Sequence, residues 1–156
     1  MDYDSIQLKS VQYNAEITGD YFIPVFKRSV IDIGSKAGFI SGEDIFQNEL
    51  FRIGGLKTLR GFDEESILAS HYLIWKTEFR YLIEQNSYLF AFVNGAYYER
   101  RQRNYFLRDT PLGFGAGITF ETKLGIFSIN YAIGKEFSNP ILVRSGKIHF
   151  GLVNYF

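Results

Sequence analysis

Strict alternation between apolar side chains and small or polar ones runs through most of this sequence and constrains the fold more than any other feature. In residues 111–122, one side of the alternation is apolar and the other is rich in glycine. Residues 125–135 repeat the arrangement after a short connection. Because successive side chains of a β-strand point to opposite faces, a period of two predicts strands, whereas the helical period of 3.6 is nearly absent. The chain is therefore predicted to be all-β.

About seven strands are predicted from this pattern. They comprise residues 5–18, 22–36, 71–83, 87–99, 111–122, 125–135 and 146–156. Short turns alternate with long connections, which are residues 37–70, 100–110 and 136–144. In outer-membrane barrels the short turns lie at the periplasmic end and the long loops at the extracellular end. This sorting favours an antiparallel up-and-down transmembrane β-barrel over a β-sandwich, which has no reason to sort its loops.

The glycine-rich side of the strands gives a second argument for a barrel. The chain has 15 Gly, 16 Phe and 11 Tyr but only 3 Pro. Gly113, Gly115 and Gly117 occupy the face opposite the apolar one, whereas the outer face of a soluble sandwich usually carries charge. A face of this kind suits a crowded barrel lumen, with the apolar side chains facing lipid.

Several function classes are excluded by composition. Lys+Arg and Asp+Glu both number 17, so no basic field indicates nucleic acid as a partner. Cysteine is absent, and His71 and His149 stand apart from acidic clusters, so we predict no catalytic residues, no metal site and no cofactor. The acidic, polar first residues do not resemble a signal peptide. The basic run from Arg100 to Arg108 predicts either a solvated hairpin or contact with lipopolysaccharide phosphates.

The longest connection carries a recognisable motif. From Phe51 to Phe62 it reads F-x-x-G-G-x-x-x-L-R-G-F. This pattern resembles the signature loop of the BamA and two-partner-secretion superfamily of outer-membrane barrels (the bacterial surface antigen family), whose Arg-Gly-aromatic tip folds back into the barrel. Residues 77–81, 92–95 and 124–132 resemble, in the same order, the strands that follow that loop. The resemblance covers nearly the whole chain and identifies it as the C-terminal portion of such a barrel.

Two groups of site residues follow from the resemblance. A loop-lock motif is implied, comprising Leu59, Arg60, Gly61, Phe62, Glu78 and Asn94. Glu78 has inward parity on the strand after the loop, so a bidentate pair with Arg60 would pin the loop at one point. Asn94 stands where the family usually places aspartate. The resemblance also implies a C-terminal assembly signal, comprising His149, Gly151, Tyr155 and Phe156.

The resemblance implies a factor of the bacterial cell outer membrane that assembles and inserts other barrel proteins, and not an enzyme. It would template client folding by offering an edge strand. A two-partner-secretion translocation pore and a barrel that anchors a surface or periplasmic enzyme remain open alternatives. The implied partners are membrane lipid and lipopolysaccharide, unfolded outer-membrane clients, and the remainder of the barrel or other assembly subunits. About seven strands would leave two edges unpaired in lipid, so we expect the chain to be part of a larger barrel.

Overall fold

The structure, a computed structural model, describes residues 11–42, 45–137 and 139–153. Most of these residues lie in β-strands. The strands are β1 (Tyr13–Phe26), β2 (Ser29–Ser41), β3 (Phe51–Ile53), β4 (Ile67–Ala69), β5 (His71–Glu84), β6 (Ser87–Gln102), β7 (Tyr105–Asp109), β8 (Leu112–Thr122), β9 (Gly125–Lys135) and β10 (Lys147–Val153). Short 3-10 turns at Gln47–Glu49 and Val143–Ser145 lie in the long connections. Among the described residues, no helix is long and apolar enough to cross a membrane.

One antiparallel sheet contains all of the long strands. Its order is β1-β2-β5-β6-β8-β9-β10, and β7 pairs with the C-terminal end of β6. Neighbours in the sheet follow one another along the chain, apart from the hairpin β3–β4, which forms a separate two-stranded sheet within the longest loop. This up-and-down topology confirms the predicted fold class. β1 and β10 are the two edges, so the sheet does not close on itself within the described chain.

The first hairpin corrects the predicted boundaries. The sequence predicts strands at 5–18 and 22–36 with a turn between them, but the turn lies at Lys27 and Arg28. Gly19 and Asp20, which resemble a turn sequence, lie inside β1 and pair with β2. The prediction is wrong because the Asp20 carboxylate has a cation to receive it, with Lys76 Nζ at 2.7 Å, and so fits a strand. Residues 5–10 of the predicted strand lie outside the described residues.

The connection predicted at residues 100–110 is also corrected, because it is the tip of a long hairpin. β6 extends to Gln102, and β7 returns beside it with Tyr105 opposite Gln102. The arginines in this segment hid the strand pattern, since a basic run resembles a solvated loop. Pro111, which has no backbone N–H, stands between β7 and β8 where the returning arm changes its pairing along β6.

The two faces of the sheet differ sharply. We call the face that the longest loop leaves uncovered the outer face, and most of its large apolar side chains are at least partly exposed. Ile118 lies opposite Ile129, which lies opposite Phe150 in the next strand, so these side chains form one row. The members of the predicted outward set are Leu112, Phe114, Ile118, Phe127, Ile129, Tyr131, Phe150 and Leu152, and they share this face. An apolar outer surface of this extent is typical of a wall that faces lipid.

The longest loop, described at residues 42 and 45–70, covers the opposite, inner face. β2 runs on to Ser41, so the loop starts later than the predicted residue 37. Its hairpin and tip build a core against β5 and β6, and this core comprises Ile53, Leu59, Phe62, Ile67, Ala69, Tyr72, Ile74, Ala96 and Tyr98. The apolar contacts between loop and strand show that the loop is infolded, as the sequence predicts.

Candidate functional site

Three glycines with positive φ angles allow the loop to turn just before its tip and at the tip itself. Gly54 and Gly55 have φ angles of 115° and 92°, which residues with a Cβ rarely adopt. The resulting turn is closed by a hydrogen bond from the Gly55 N–H to the Leu59 carbonyl at 3.0 Å. Gly61, with φ of 98°, reverses the chain directly after Arg60. These turns direct the Arg60 side chain towards the sheet.

Arg60 is buried and held by two strands. Its Nη1 donates to Glu78 Oε2 on β5 at 2.5 Å, and its Nη2 donates to Asn94 Oδ1 on β6 at 3.1 Å. Its relative exposure is 7% and that of Glu78 is 4%. A cation that is this desolvated depends on its carboxylate partner, because removal of Glu78 would leave the Arg60 guanidinium buried with only the neutral Asn94 amide bonded to it.

An aromatic face completes the Arg60 site. The guanidinium carbon lies 3.4 Å from the centroid of the Phe92 ring, at stacking distance. Phe92 and Glu78 are direct cross-strand partners, so the ring and the carboxylate face the lumen side by side. Burial lowers the pKa of the Arg60 guanidinium, while the Glu78 carboxylate acts in the opposite direction. Since arginine titrates far above neutral pH, it stays charged here.

The glycine face of the sheet makes room for the loop backbone. A Cβ at Gly113 would collide with the Arg60 carbonyl, and a Cβ at Gly134 would collide with the Gly61 carbonyl. Gly113 and Gly134 are cross-strand partners on β8 and β9. The loop tip therefore sits directly on the sheet backbone, where any larger side chain would hold it away.

A ladder of alternating charges leads from the Glu78 carboxylate to the β1 edge. Arg80 Nε lies 2.7 Å from Glu78 Oε1, and Arg80 Nη2 lies 2.6 Å from Asp32 Oδ2. Lys76 Nζ then joins Asp32 at 3.1 Å to Asp20 at 2.7 Å. Asp32 has no exposed surface, so it relies on these two cations for its stabilisation.

The other side of the loop tip contacts the terminal strand β10. The Gly61 N–H donates to His149 Nε2 at 3.1 Å, which places any proton of the neutral ring on Nδ1. Asp63 Oδ1 lies 2.8 Å from Lys147 Nζ, and a Cβ at Gly151 would collide with Leu56. Three alternate residues of β10, all on its inner face, thus meet one loop.

Most of the site residues that were singled out in the sequence lie together in this region. Arg60, Glu78 and Asn94 form one hydrogen-bonded group, and Leu59 and Phe62 are buried in the core beneath the loop. His149 and Gly151 meet the loop from β10. Tyr155 and Phe156 lie outside the described residues.

The sequence reasoning missed several participants. They share the inward parity of Glu78, and this parity is the feature of the sequence from which they could have been found. They are Phe92, Arg80, Asp32 and Lys76. The role of the glycine face as a seat for the loop backbone was also missed, because it depends on the contact between two distant segments.

The profile of the Omp85 superfamily domain matches residues 4–156. The chain belongs to the Omp85 superfamily. None of the curated proteins searched matches the chain. The Omp85 superfamily comprises bacterial outer-membrane proteins that insert or translocate polypeptides, and its members are transporters and assembly factors. The antiparallel sheet of this Omp85 domain and the apolar outer face of that sheet agree with the match.

Proposed function

We propose that this chain is the C-terminal part of the barrel of an outer-membrane assembly factor that inserts β-barrel clients. The observation that supports this proposal best is the double attachment of the loop tip: Arg60 binds β5 and β6, while Gly61 binds His149 on β10. A lock that reaches the terminal strand fits a protein whose terminal strand must be presented in a defined position.

In the proposed mechanism, β10 is a template. It is an edge of the described sheet, so the backbone groups on its free side must pair with a strand from outside the described chain, either another strand of the barrel or a client strand. An incoming client strand would add to these groups by β-augmentation, which requires no cofactor or nucleotide. The loop contacts at Lys147, His149 and Gly151 hold the inner face of β10 while its free side stays available.

The test is disulfide trapping of a client strand in the full-length protein. The chain has no cysteine, so once any cysteine outside it is replaced by serine, an introduced one reports a single position. Leu152→Cys on β10 is expected to cross-link to a cysteine in an unfolded barrel client, and Ile118→Cys on β8, also on the outer face, is the matched control. Liposomes that carry the protein should also fold the client faster than empty liposomes. Equal cross-linking at both positions, or no acceleration, would contradict the assembly role.

A translocation pore is the second candidate, and the cleft beside the loop favours it. This cleft has a volume of about 930 Å³ and is lined by residues of the loop and strands, among them Lys57, Glu64, Arg80 and Ser128. If the loop is a plug, its release would open an ion-conducting path. Conductance in planar bilayers that rises in Arg60→Ala, together with no effect on client folding, would favour translocation over assembly.

A further inference from the structure

The hairpin β6–β7 divides its arginines between the two faces of the sheet. Arg101 lies opposite Phe106, and Arg108 lies opposite Glu99, all with the parity of the outer face. Arg100 has the opposite parity and stacks over Tyr105, with its guanidinium carbon 5.0 Å from the ring centroid. One basic run in the sequence therefore supplies two different surfaces.

The outward arginines lie just beyond the apolar band. On β5 the outward side chains from Ile83 to Leu73 are apolar or aromatic, interrupted only by Thr77. The ten residue steps from Leu73 to Ile83 extend roughly 33 Å along a strand. At the tilt of about 40° found in barrels, this is a rise of roughly 25 Å, the height of a lipid-facing band. His71 and its partner Glu99 are the first polar pair above it, on the same side of the sheet.

Charged and aromatic side chains occur together on the outer face just beyond the apolar band. Arg101 Nη2 lies 3.1 Å from Glu99 Oε2, yet the Arg101 side chain remains 62% exposed. Tyr97 and Phe106 are exposed beside these groups on the same face. Two guanidinium groups with one nearby carboxylate leave an excess of positive charge at the boundary, where aromatic rings commonly lie at the level of lipid headgroups.

We propose that Arg101 and Arg108 form an outward-facing site for the phosphate groups of membrane lipids. A guanidinium donates to phosphate through a planar fork, and a lipid presents its phosphate at the depth where these two side chains lie. The ring of Phe106 would lie against the glycerol and the upper acyl chains. The site requires only that the barrel spans a membrane, so it is independent of whether clients are inserted or translocated.

The test uses the single tryptophan of this chain as a reporter. Trp75 faces outward on β5, four residues below His71, and is partly exposed. The full-length protein, with any tryptophan outside this chain replaced by phenylalanine, is placed in nanodiscs of phosphatidylcholine and phosphatidylglycerol. Bromine-labelled acyl chains are carried by one lipid or the other, and quenching of Trp75 measures which lipid lies beside it.

We expect the bromine-labelled phosphatidylglycerol to quench more strongly than its share of the mixture. Arg101→Gln and Arg108→Gln should each lower this preference about fivefold, which corresponds to about 1 kcal/mol per cation at an anionic surface. Arg100→Gln removes the same charge from the inner face and should leave the preference unchanged. Glu99→Gln should raise it.

Three results would overturn the site. The first is equal quenching by both lipids in the unaltered protein, and the second is an equal loss of the lipid preference in Arg100→Gln and Arg101→Gln. The third is loss of the preference in excess inorganic phosphate, which would indicate a site for free anions. Heat-modifiable gel mobility establishes that each variant is folded. The Arg101 and Arg108 variants are independent, so one suffices if the other does not fold.

Discussion

His149 accepts a hydrogen bond from the backbone N–H of Gly61, a residue 88 positions earlier in the chain. The neighbouring Arg60 binds Glu78 and Asn94 in the middle of the sheet. Two adjacent loop residues thus connect the central strands to the terminal strand. The position of β10 and the docking of the loop are physically coupled, and the coupling can be tested one contact at a time.

Replacement of His149 tests the loop contact with β10. His149→Leu leaves the buried Gly61 N–H without an acceptor, which costs about 1–3 kcal/mol. We expect faster hydrogen exchange in residues 56–63 and unchanged exchange in β8. His149→Gln offers an amide oxygen in a similar position and should restore part of the protection. His71→Leu, on the outer face, is the control, and equal exchange in all three variants would show that the contact does not hold the loop.

The Arg60–Glu78 pair is tested by a double-mutant cycle. Arg60→Ala leaves the buried Glu78 carboxylate with Arg80 as its remaining cation, so it should destabilise the docked loop by less than the roughly 3–5 kcal/mol of a wholly uncompensated buried charge. Arg60→Lys should rescue only in part, because an ammonium cannot reproduce the planar fork. Arg52→Ala, at an exposed position of the same loop, should have little effect. Strictly additive losses in Arg60→Ala and Glu78→Gln, measured as protease resistance of the loop, would rule out a coupled pair.

The close contact between the loop tip and the sheet backbone at Gly113 predicts that one added methyl group there destabilises the docked loop. Gly113→Ala places a Cβ against the Arg60 carbonyl, so the loop must lift or the strand must shift. We expect a loss of about 1–3 kcal/mol in urea unfolding, as for overpacked interiors. Gly19→Ala is the matched control, because nothing lies within 4 Å of its added Cβ. A loss of the same size in both variants would attribute the effect to strand propensity.

The charge ladder predicts unequal effects at its two aspartates. Asp32 is fully buried between Arg80 and Lys76, whereas the Asp20 side chain is 37% exposed. Asp32→Asn removes the charge that both cations face and should lower the unfolding free energy by about 1–3 kcal/mol. Asp20→Asn should cost less than about 1 kcal/mol, as exposed pairs do. Urea titration of the folded barrel in lipid measures both, and a larger loss at Asp20 would contradict the assignment.

The alternation of side chains between the two faces of a strand explains which parts of the fold and of the loop site could be predicted from the sequence. Alternation assigned Glu78 to the inner face and Ile118 to the outer face, and both assignments need only the strand period. The turn between β1 and β2 was misplaced because Gly19 and Asp20 also suit a strand when Lys76 lies across from them. The Gly61–His149 contact had no sequence signal, since it depends on where a long loop returns.

The loop tip rests on side chains and backbone from β5, β6, β8, β9 and β10. The complete set of contacts cannot form before β8 and β9 have paired, because the surface at Gly113 and Gly134 exists only once these two strands lie side by side. Closure of so long a loop also has an entropic cost that only several simultaneous contacts offset. We therefore expect full docking of the loop tip to follow the pairing of β8 with β9, so that a docked loop reports that these two strands are in register.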